Sequence, residues 1–453
     1  MAAKADKSRN LARTVTICIA LIFIAGGRFI PAPEGLSVSA MQILGIFAGT
    51  LILWIREAID WPSLLCLAAL AFVPELKFKD MLAVSFGGQT FAFLLFTFMC
   101  TYALSGTHFV RRVALAFINS HIAKKGPRSF AIFFFSSTLV LGSFMSPSVL
   151  FVIYLPIIKE VYDVLHLKPE DKFSNMLMIG MTISIAISSG MTPIAHVFSI
   201  MAMGFYEAAA GKAIPYIDYI IFGVCVGLIV FVFMLLIFKF LMRPDTSVLN
   251  KNRDFDIGEK VPPMDRKEKI ILLIFGIVVL LWLLPGFLVF FWKDAADYIN
   301  SFGMAVPPLL GACAMYVLTD CGKPLLSFKE TMAKGISWGA LIMTASTLAL
   351  GTAMTNEEMG LIKWLSASIT PSLNSLSPIL PVLIFTLWAA IQTNLSSNMV
   401  TITVVCVVAL PICMASQEEI STPAIASITG MIGAFAFMTP PAHPNVALAI
   451  GSG

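Results

Sequence analysis

Apolar residues fill this chain in runs of about one membrane thickness, parted by short polar links. Clear runs cover about 14–31, 37–55, 58–74, 84–105, 174–206, 214–242, 270–292, 302–319, 335–354 and 421–450. A helix needs ~20 predominantly apolar residues to cross the hydrocarbon, so these runs predict membrane-spanning helices. Two further apolar stretches, 129–158 and 378–415, are interrupted near their middles. The first is broken by Ser143, Ser146, Pro147 and Ser148. The second is broken by Gln392, Thr393, Asn394, Ser396, Ser397 and Asn398.

Basic residues give the runs a direction, because cytoplasmic loops collect Lys and Arg. Residues 111–128 carry Arg111, Arg112, Lys124, Lys125 and Arg128; residues 243–269 carry Arg243, Lys251, Arg253, Lys260, Arg266, Lys267 and Lys269. The links 206–214 and 293–301 hold only Lys212 and Lys293. With the N-terminus inside, run 84–105 ends inside, beside Arg111. Both basic segments then stay cytoplasmic only if 129–158 enters and returns on one side. That stretch is therefore predicted to be a re-entrant hairpin with its polar tip at mid-membrane. The same count makes 378–415 a hairpin from the outer face, flanked by Glu357, Glu358, Glu418 and Glu419. Irregular backbone at that depth must be buried in protein or line a cavity, so the tips are candidate sites.

A repeat supports this reading. Met191-Thr192-Pro193-Ile194-Ala195-His196 returns as Met438-Thr439-Pro440-Pro441-Ala442-His443, identical at five of six positions. Each copy follows an interrupted hairpin at similar spacing and sits in a long apolar run, where Pro breaks a helix. An odd number of crossings separates the copies, so they are inverted. Inverted repeats, each with a hairpin and a broken helix, describe a secondary transporter with its site near the midplane. The expected organisation is an N-terminal span (1–36), a first repeat (37–242; hairpin 129–158, broken helix 174–206), a cytoplasmic linker (243–269) and a second repeat (270–453; hairpin 378–415, broken helix 421–450). By symmetry with 214–242 one further span is expected after Gly453; the chain reads as a fragment or as a copy without that span.

Composition agrees with a bilayer as solvent. Of 453 residues, 58% are hydrophobic and 12% charged, against roughly 25% charged in a soluble domain; mean hydropathy is +0.89. This excludes a disordered chain, a nucleic-acid-binding domain and an ordinary soluble enzyme. No HExxH, GxSxG or carboxylate pair points to a membrane enzyme either. The eight cysteines have no CxxC or metal spacing and read as small hydrophobes. Lys4, Lys7, Arg9 and Arg13 precede the first run without a small-residue cleavage site, so it reads as a span with a cytoplasmic N-terminus in the plasma (inner) membrane. Trp54, Trp61, Trp282 and Trp292 lie near run ends and are expected at the lipid interface. His196 and His443 suit proton carriers, ligands or caps donating a ring N–H to the broken helices; the cap is the plainer reading.

With these motifs the chain resembles the divalent anion:sodium symporter family of the ion transporter superfamily, over nearly its whole length. That family has two Ser-Asn-Thr tips, each followed by Leu-Pro. Here the tips read Ser146-Pro147-Ser148, with Leu155-Pro156, and Ser397-Asn398-Met399, with Thr401 and a later Leu410-Pro411. The family's C-terminal broken helix is matched by Thr439-Pro440-Pro441, Asn445 and Gly451-Ser452-Gly453. The resemblance implies an all-α polytopic fold, transport of a divalent or polyvalent anion by sodium symport, a homodimer and elevator-type alternating access. A dicarboxylate such as succinate or malate is the first substrate to test; citrate and sulfate remain open. It implies sodium ligands at Thr393, Ser396, Asn398 and the Met438 backbone, and at Ser143 and Gly190 in the first half. No Arg or Lys lies near the tips or the repeated motifs, so an anion there is held by neutral groups. Ser146, Ser148, Ser397, Thr192 and Thr439 supply hydroxyls and Asn398 an amide; Pro193 and Pro440 open the helices. The family's first-tip Asn is Pro147 here, which leaves open one sodium site, a rebuilt site or none. Sodium-independent anion exchange and a cation/proton antiporter of the same superfamily stay as alternatives, although the antiporter should carry a buried mid-span acid and none lies near the tips.

Overall fold

Where an apolar run carries a cluster of helix breakers, the helix stops and a new one starts. The computed structural model describes residues 2–168, 170–194, 196–243, 261–373, 377–416, 420–439 and 442–451. Lys251, Arg253, Lys260, Glu418 and Glu419 lie outside them, as do Ala195, Pro440, Pro441, Ser452 and Gly453. The first half runs α1 (Ala2–Gly26), α2 (Val38–Arg56), α3 (Trp61–Leu70), α4 (Phe78–Ser85), α5 (Gln89–Ser105) and α6 (Phe109–Ile118). Then come α7 (Pro127–Gly142), α8 (Pro147–Val164), α9 (Lys172–Met191), α10 (Val197–Ala210) and α11 (Tyr216–Ile237), which runs on as a π turn over Phe238–Met242. The second half runs α12 (Arg266–Leu288), α13 (Lys293–Ser301), α14 (Val306–Val317), α15 (Trp338–Thr355) and α16 (Leu361–Leu373). It closes with α17 (Ile379–Leu395), α18 (Asn398–Ala415), α19 (Thr422–Gly433) and α20 (Pro444–Gly451). The fold is all-α and polytopic: among the described residues, seven helical segments are long and apolar enough to cross a membrane.

Local chemistry sets several ends. The Ser37 hydroxyl accepts from Ala40 N–H at 3.0 Å to cap α2, satisfying one of the N–H groups a helix start leaves open. Asp265 caps α12 by accepting from Glu268 N–H at 2.6 Å. α14 is followed by a two-stranded ribbon, Thr319–Asp320 with Lys323–Pro324, turned by Cys321 and Gly322 at φ +48° and +77°. Positive φ at both central residues is what a tight hairpin of matching twist requires.

Two expected spans are short. The run 58–74 forms only the ten-residue α3, and 302–319 only the twelve-residue α14. At 1.5 Å per residue these reach about 15 and 18 Å, against ~30 Å of hydrocarbon. Each packs against a long helix of the other half: α3 and α4 lie on α15, and α14 lies on α5. α14 leaves Leu310 and Val317 exposed, whereas burial in protein covers Cys66, Leu67, Ala69 and Leu70 of α3. Two tryptophans depart from expectation for the same reason. Trp282 is buried, with its ring 5.3 Å from Phe93 and 5.5 Å from Tyr216 and its Nε1–H on the Met304 carbonyl at 3.0 Å. Trp54 is buried with Nε1–H on Ser63 Oγ at 2.9 Å. Trp292 is exposed.

Ion pairs fix which ends share a side. Arg112 in α6 meets Glu268 at the start of α12 at 3.2 Å, so the starts of α6 and α12 lie on one face of the bundle. Arg13 in α1 meets Glu57 at the end of α2 at 2.9 Å. All eight cysteines are free thiols, four of them buried.

Candidate functional site

At the first tip, α7 ends at Gly142 and α8 starts at Pro147. Proline suits the first helical position, where its missing N–H would be unpaired in any case. It also removes one donor from the tip. Ser146 is the N-cap residue but its hydroxyl caps nothing, and Ser148 is exposed. The Ser143 hydroxyl donates back to Leu139 at 2.9 Å. α9 stops at Met191, Pro193 is buried in the break, and the Thr192 hydroxyl donates to the Ser143 carbonyl. The break is also held by α11. A Cβ at Gly223 would lie 2.3 Å from the Met191 carbonyl, so only glycine allows this approach. Tyr219 Oη reaches the Gly190 carbonyl at 3.0 Å and Ser199 Oγ at 2.6 Å.

The second tip repeats this plan with different side chains. α17 ends at Leu395 and Asn398 opens α18. The Thr439 hydroxyl donates to the Asn394 carbonyl at 2.7 Å. Residue for residue, this is the counterpart of the Thr192–Ser143 bond. In both copies the motif threonine ties the break to the tip, and its proton is committed to a carbonyl. Asn394 adds more than its counterpart Ser143. Its Oδ1 accepts from the N–H groups of Phe437 at 3.0 Å and Met438 at 2.9 Å. Its Nδ2 donates to the carbonyls of Ala390 at 2.9 Å and Phe435 at 3.1 Å. The Thr393 hydroxyl donates to Gly433 at 2.9 Å, and the Ser396 hydroxyl to Gln392 at 3.0 Å with Thr401 Oγ1 at 3.5 Å. Ser397 is half-buried at the N-cap of α18 and makes no side-chain cap. The Met438 side chain is exposed. Pro440 lies outside the described residues.

Two amides stand apart. Asn398 and Asn445 are 4% and 1% exposed. Asn398 Nδ2, and both Oδ1 and Nδ2 of Asn445, have no hydrogen-bond partner among the described residues. Their counterparts in the first half are Pro147 and Phe198, which have no polar side-chain atom to leave unpaired.

The histidines cap differently from expectation. His443 Nδ1 accepts the Asn445 backbone N–H at 3.1 Å, so the ring works as an acceptor at the start of α20. Helix starts present N–H groups, and only an acceptor satisfies them. His196 precedes α10 without a side-chain cap; its ring lies 3.9 Å from that of Phe198.

The two breaks meet in the interior. α19 packs along α10, and α20 touches α8 and α9. Glycines allow the crossing: a Cβ at Gly430 would sit 3.0 Å from Ser199 Cα, and one at Gly190 3.0 Å from the Met431 carbonyl. Among the described residues, no group of three or more His, Cys, Asp or Glu is placed to hold a metal ion; the oxygens gathered here are neutral. Sequence reasoning placed Asn394 in the polar tip without a role and passed over Tyr219 and Ser199. Position in the tip was the available signal for Asn394, whereas the Tyr219 contact comes from another helix.

The sequence profile described as the sodium:sulfate symporter transmembrane region matches residues 10–453. The chain is similar to the sodium-dependent dicarboxylate transporter SdcS of Staphylococcus saprophyticus, 26% identical over 467 aligned residues that cover 99% of this chain and 87% of that protein. The protein of the same name from Staphylococcus aureus is 24% identical over 445 residues, covering 93% and 82%. A match of this extent, on a polytopic helical fold, makes the chain a member of the sodium:sulfate symporter transmembrane family, which are transporters and not enzymes.

Proposed function

We propose that this protein is a secondary active transporter that carries a divalent anion, a dicarboxylate foremost, across the plasma membrane together with sodium. The observation that carries the reading is the pair of buried amides, Asn398 and Asn445, whose Nδ2 groups have no partner among the described residues. Leaving a polar group buried and unpaired costs about 1–3 kcal/mol, and a ligand with complementary atoms recovers it. The two Nδ2 groups suit carboxylate oxygens. Asn445 Oδ1, on a helix that touches α8 and α9, suits a hard cation that prefers oxygen, and so do the hydroxyl oxygens of Thr393 and Ser396 at the second tip. The N-termini of α8 and α18 at the two tips, and of α10 after the first break, each carry partial positive charge. A bound sodium ion would offset part of the anion's charge. The names of the relatives, sodium-dependent dicarboxylate transporters, point to the same cargo and ion.

The proposal includes inverted repeats, an N-terminus in the cytoplasm, a homodimer and an elevator motion of the hairpins and broken helices. The matching order of elements in the two halves and the paired threonine bonds support the repeat. A second reading, sodium-independent exchange, is favoured by Pro147, which deprives the first tip of both an amide side chain and an N–H.

The test is uptake of radiolabelled succinate by the full chain in proteoliposomes, with and without an inward sodium gradient and with and without internal dicarboxylate. Sodium-driven uptake into empty vesicles is expected. Uptake only into preloaded vesicles, indifferent to sodium, selects exchange. A folded protein that moves none of succinate, citrate or sulfate overturns both readings.

A further inference from the structure

A cleft of about 650 Å³ lies far from the tips, between the starts of α7 and α9 and the end of α11. That volume is in the range of ligand pockets, ~300–1,000 Å³. Its walls are apolar, with Ile132, Val232 and Leu236 among the residues lining it, all three exposed at the surface of the bundle. Phe135 lies at its base, buried, its ring 5.8 Å from that of Phe238 and seated over Gly180, where a Cβ would come within 2.3 Å of it.

Charge enters this cleft with one sign. Arg128, Lys239 and Arg243 line it, all exposed, and among the described residues no Asp or Glu does. The local backbone explains their placement. Arg128 follows Pro127 in the first turn of α7. Lys239 and Arg243 belong to the π turn that ends α11; Arg243 closes it at φ +41° and its Nε donates to the Phe240 carbonyl at 2.8 Å. Lys239 Nζ stands 5.0 Å from the Phe240 ring centre. Apolar walls with cations at the helix ends describe an amphipathic ligand: a hydrocarbon chain joined to an anionic head. A basic pocket between membrane helices on the side rich in Lys and Arg is where acidic lipid headgroups are attracted, at ~1 kcal/mol per cation.

We propose that this cleft binds one anionic glycerophospholipid, with an acyl chain along Ile132, Val232 and Leu236 and the phosphate between Arg128, Lys239 and Arg243. A free phosphate shares the headgroup chemistry but has nothing to place against the apolar walls. The proposal does not depend on the transported substrate.

Native mass spectrometry of the full chain in detergent, titrated with phosphatidylglycerol, tests it, with phosphatidylcholine and glycerol phosphate as parallel arms. The R128Q, K239Q and R243Q changes are at exposed positions and should leave folding intact. Each is expected to weaken phosphatidylglycerol binding about fivefold, and the triple variant about a hundredfold. V232W, at an exposed wall position, narrows the cleft without touching charge and should lose the same adduct. Circular dichroism confirms that each variant is folded. Retention of phosphatidylglycerol by the triple variant or by V232W overturns the proposal. So does equal binding of phosphatidylcholine, or of glycerol phosphate alone.

Discussion

The two halves build the same frame and furnish it differently. In each, a motif threonine donates to a tip carbonyl, Thr192 to Ser143 and Thr439 to Asn394. Beyond that bond they diverge. In the first half Pro147 and Phe198 are apolar, Tyr219 engages the Gly190 carbonyl, and His196 Nδ1 is the buried atom without a partner among the described residues at the break. The second half places Asn398 and Asn445 at the same two positions, buried and without partners among the described residues. A buried group without internal compensation at a helix break is a candidate to bind ligand. The threonine frame is shared, and the proposed reading concentrates the ligand chemistry in the second half.

The largest effect should come from Asn394, which belongs to the frame. Asn394→Leu removes side-chain bonds to Ala390, Phe435, Phe437 and Met438. Stranding those groups should cost at least about 3 kcal/mol; thermal unfolding in detergent should show it, together with loss of uptake. Asn398→Leu and Asn445→Leu should behave in the opposite way. They remove no side-chain bond among the described residues, so stability should hold or rise, while succinate uptake falls about 10- to 100-fold, the worth of a hydrogen bond to a charged ligand. A large loss of stability in either would reassign that amide to the frame. Tyr219→Phe should cost about 1 kcal/mol, read by the same unfolding measurement, with uptake largely kept. Pro147→Asn should change stability by less than about 1 kcal/mol. It should also steepen the sodium dependence of uptake, because it gives the first tip the amide that the second already has.

Much of this is legible in the sequence. Interrupted runs located the two helix breaks at the tips, and Pro193 marked the buried break after α9; the duplicated Met-Thr-Pro motif picked out the two threonines that make matching bonds. Two kinds of detail were not legible. Hydropathy is blind to helix length and to packing against protein, so α3 and α14 come out shorter than the runs that contain them. The same blindness put Trp282 and Trp54 at the lipid interface. Side-chain direction is the second kind. Thr192 and Thr439 read as free hydroxyl donors, and only the fold reveals the carbonyls that take their protons. Asn394 and Asn398 are close in sequence, on either side of the second tip; which is satisfied and which is not depends on the break at 434–439, more than thirty residues away.

The central claim, a ligand site concentrated in the second half, is tested most directly by mirrored substitutions. Sodium-driven succinate uptake would be compared in proteoliposomes of wild type, Asn445→Leu and Pro147→Ala, normalised to folded protein. The account expects at least a tenfold loss in Asn445→Leu and less than about a threefold change in Pro147→Ala. Equal losses in the two, or a larger loss in Pro147→Ala, would contradict it.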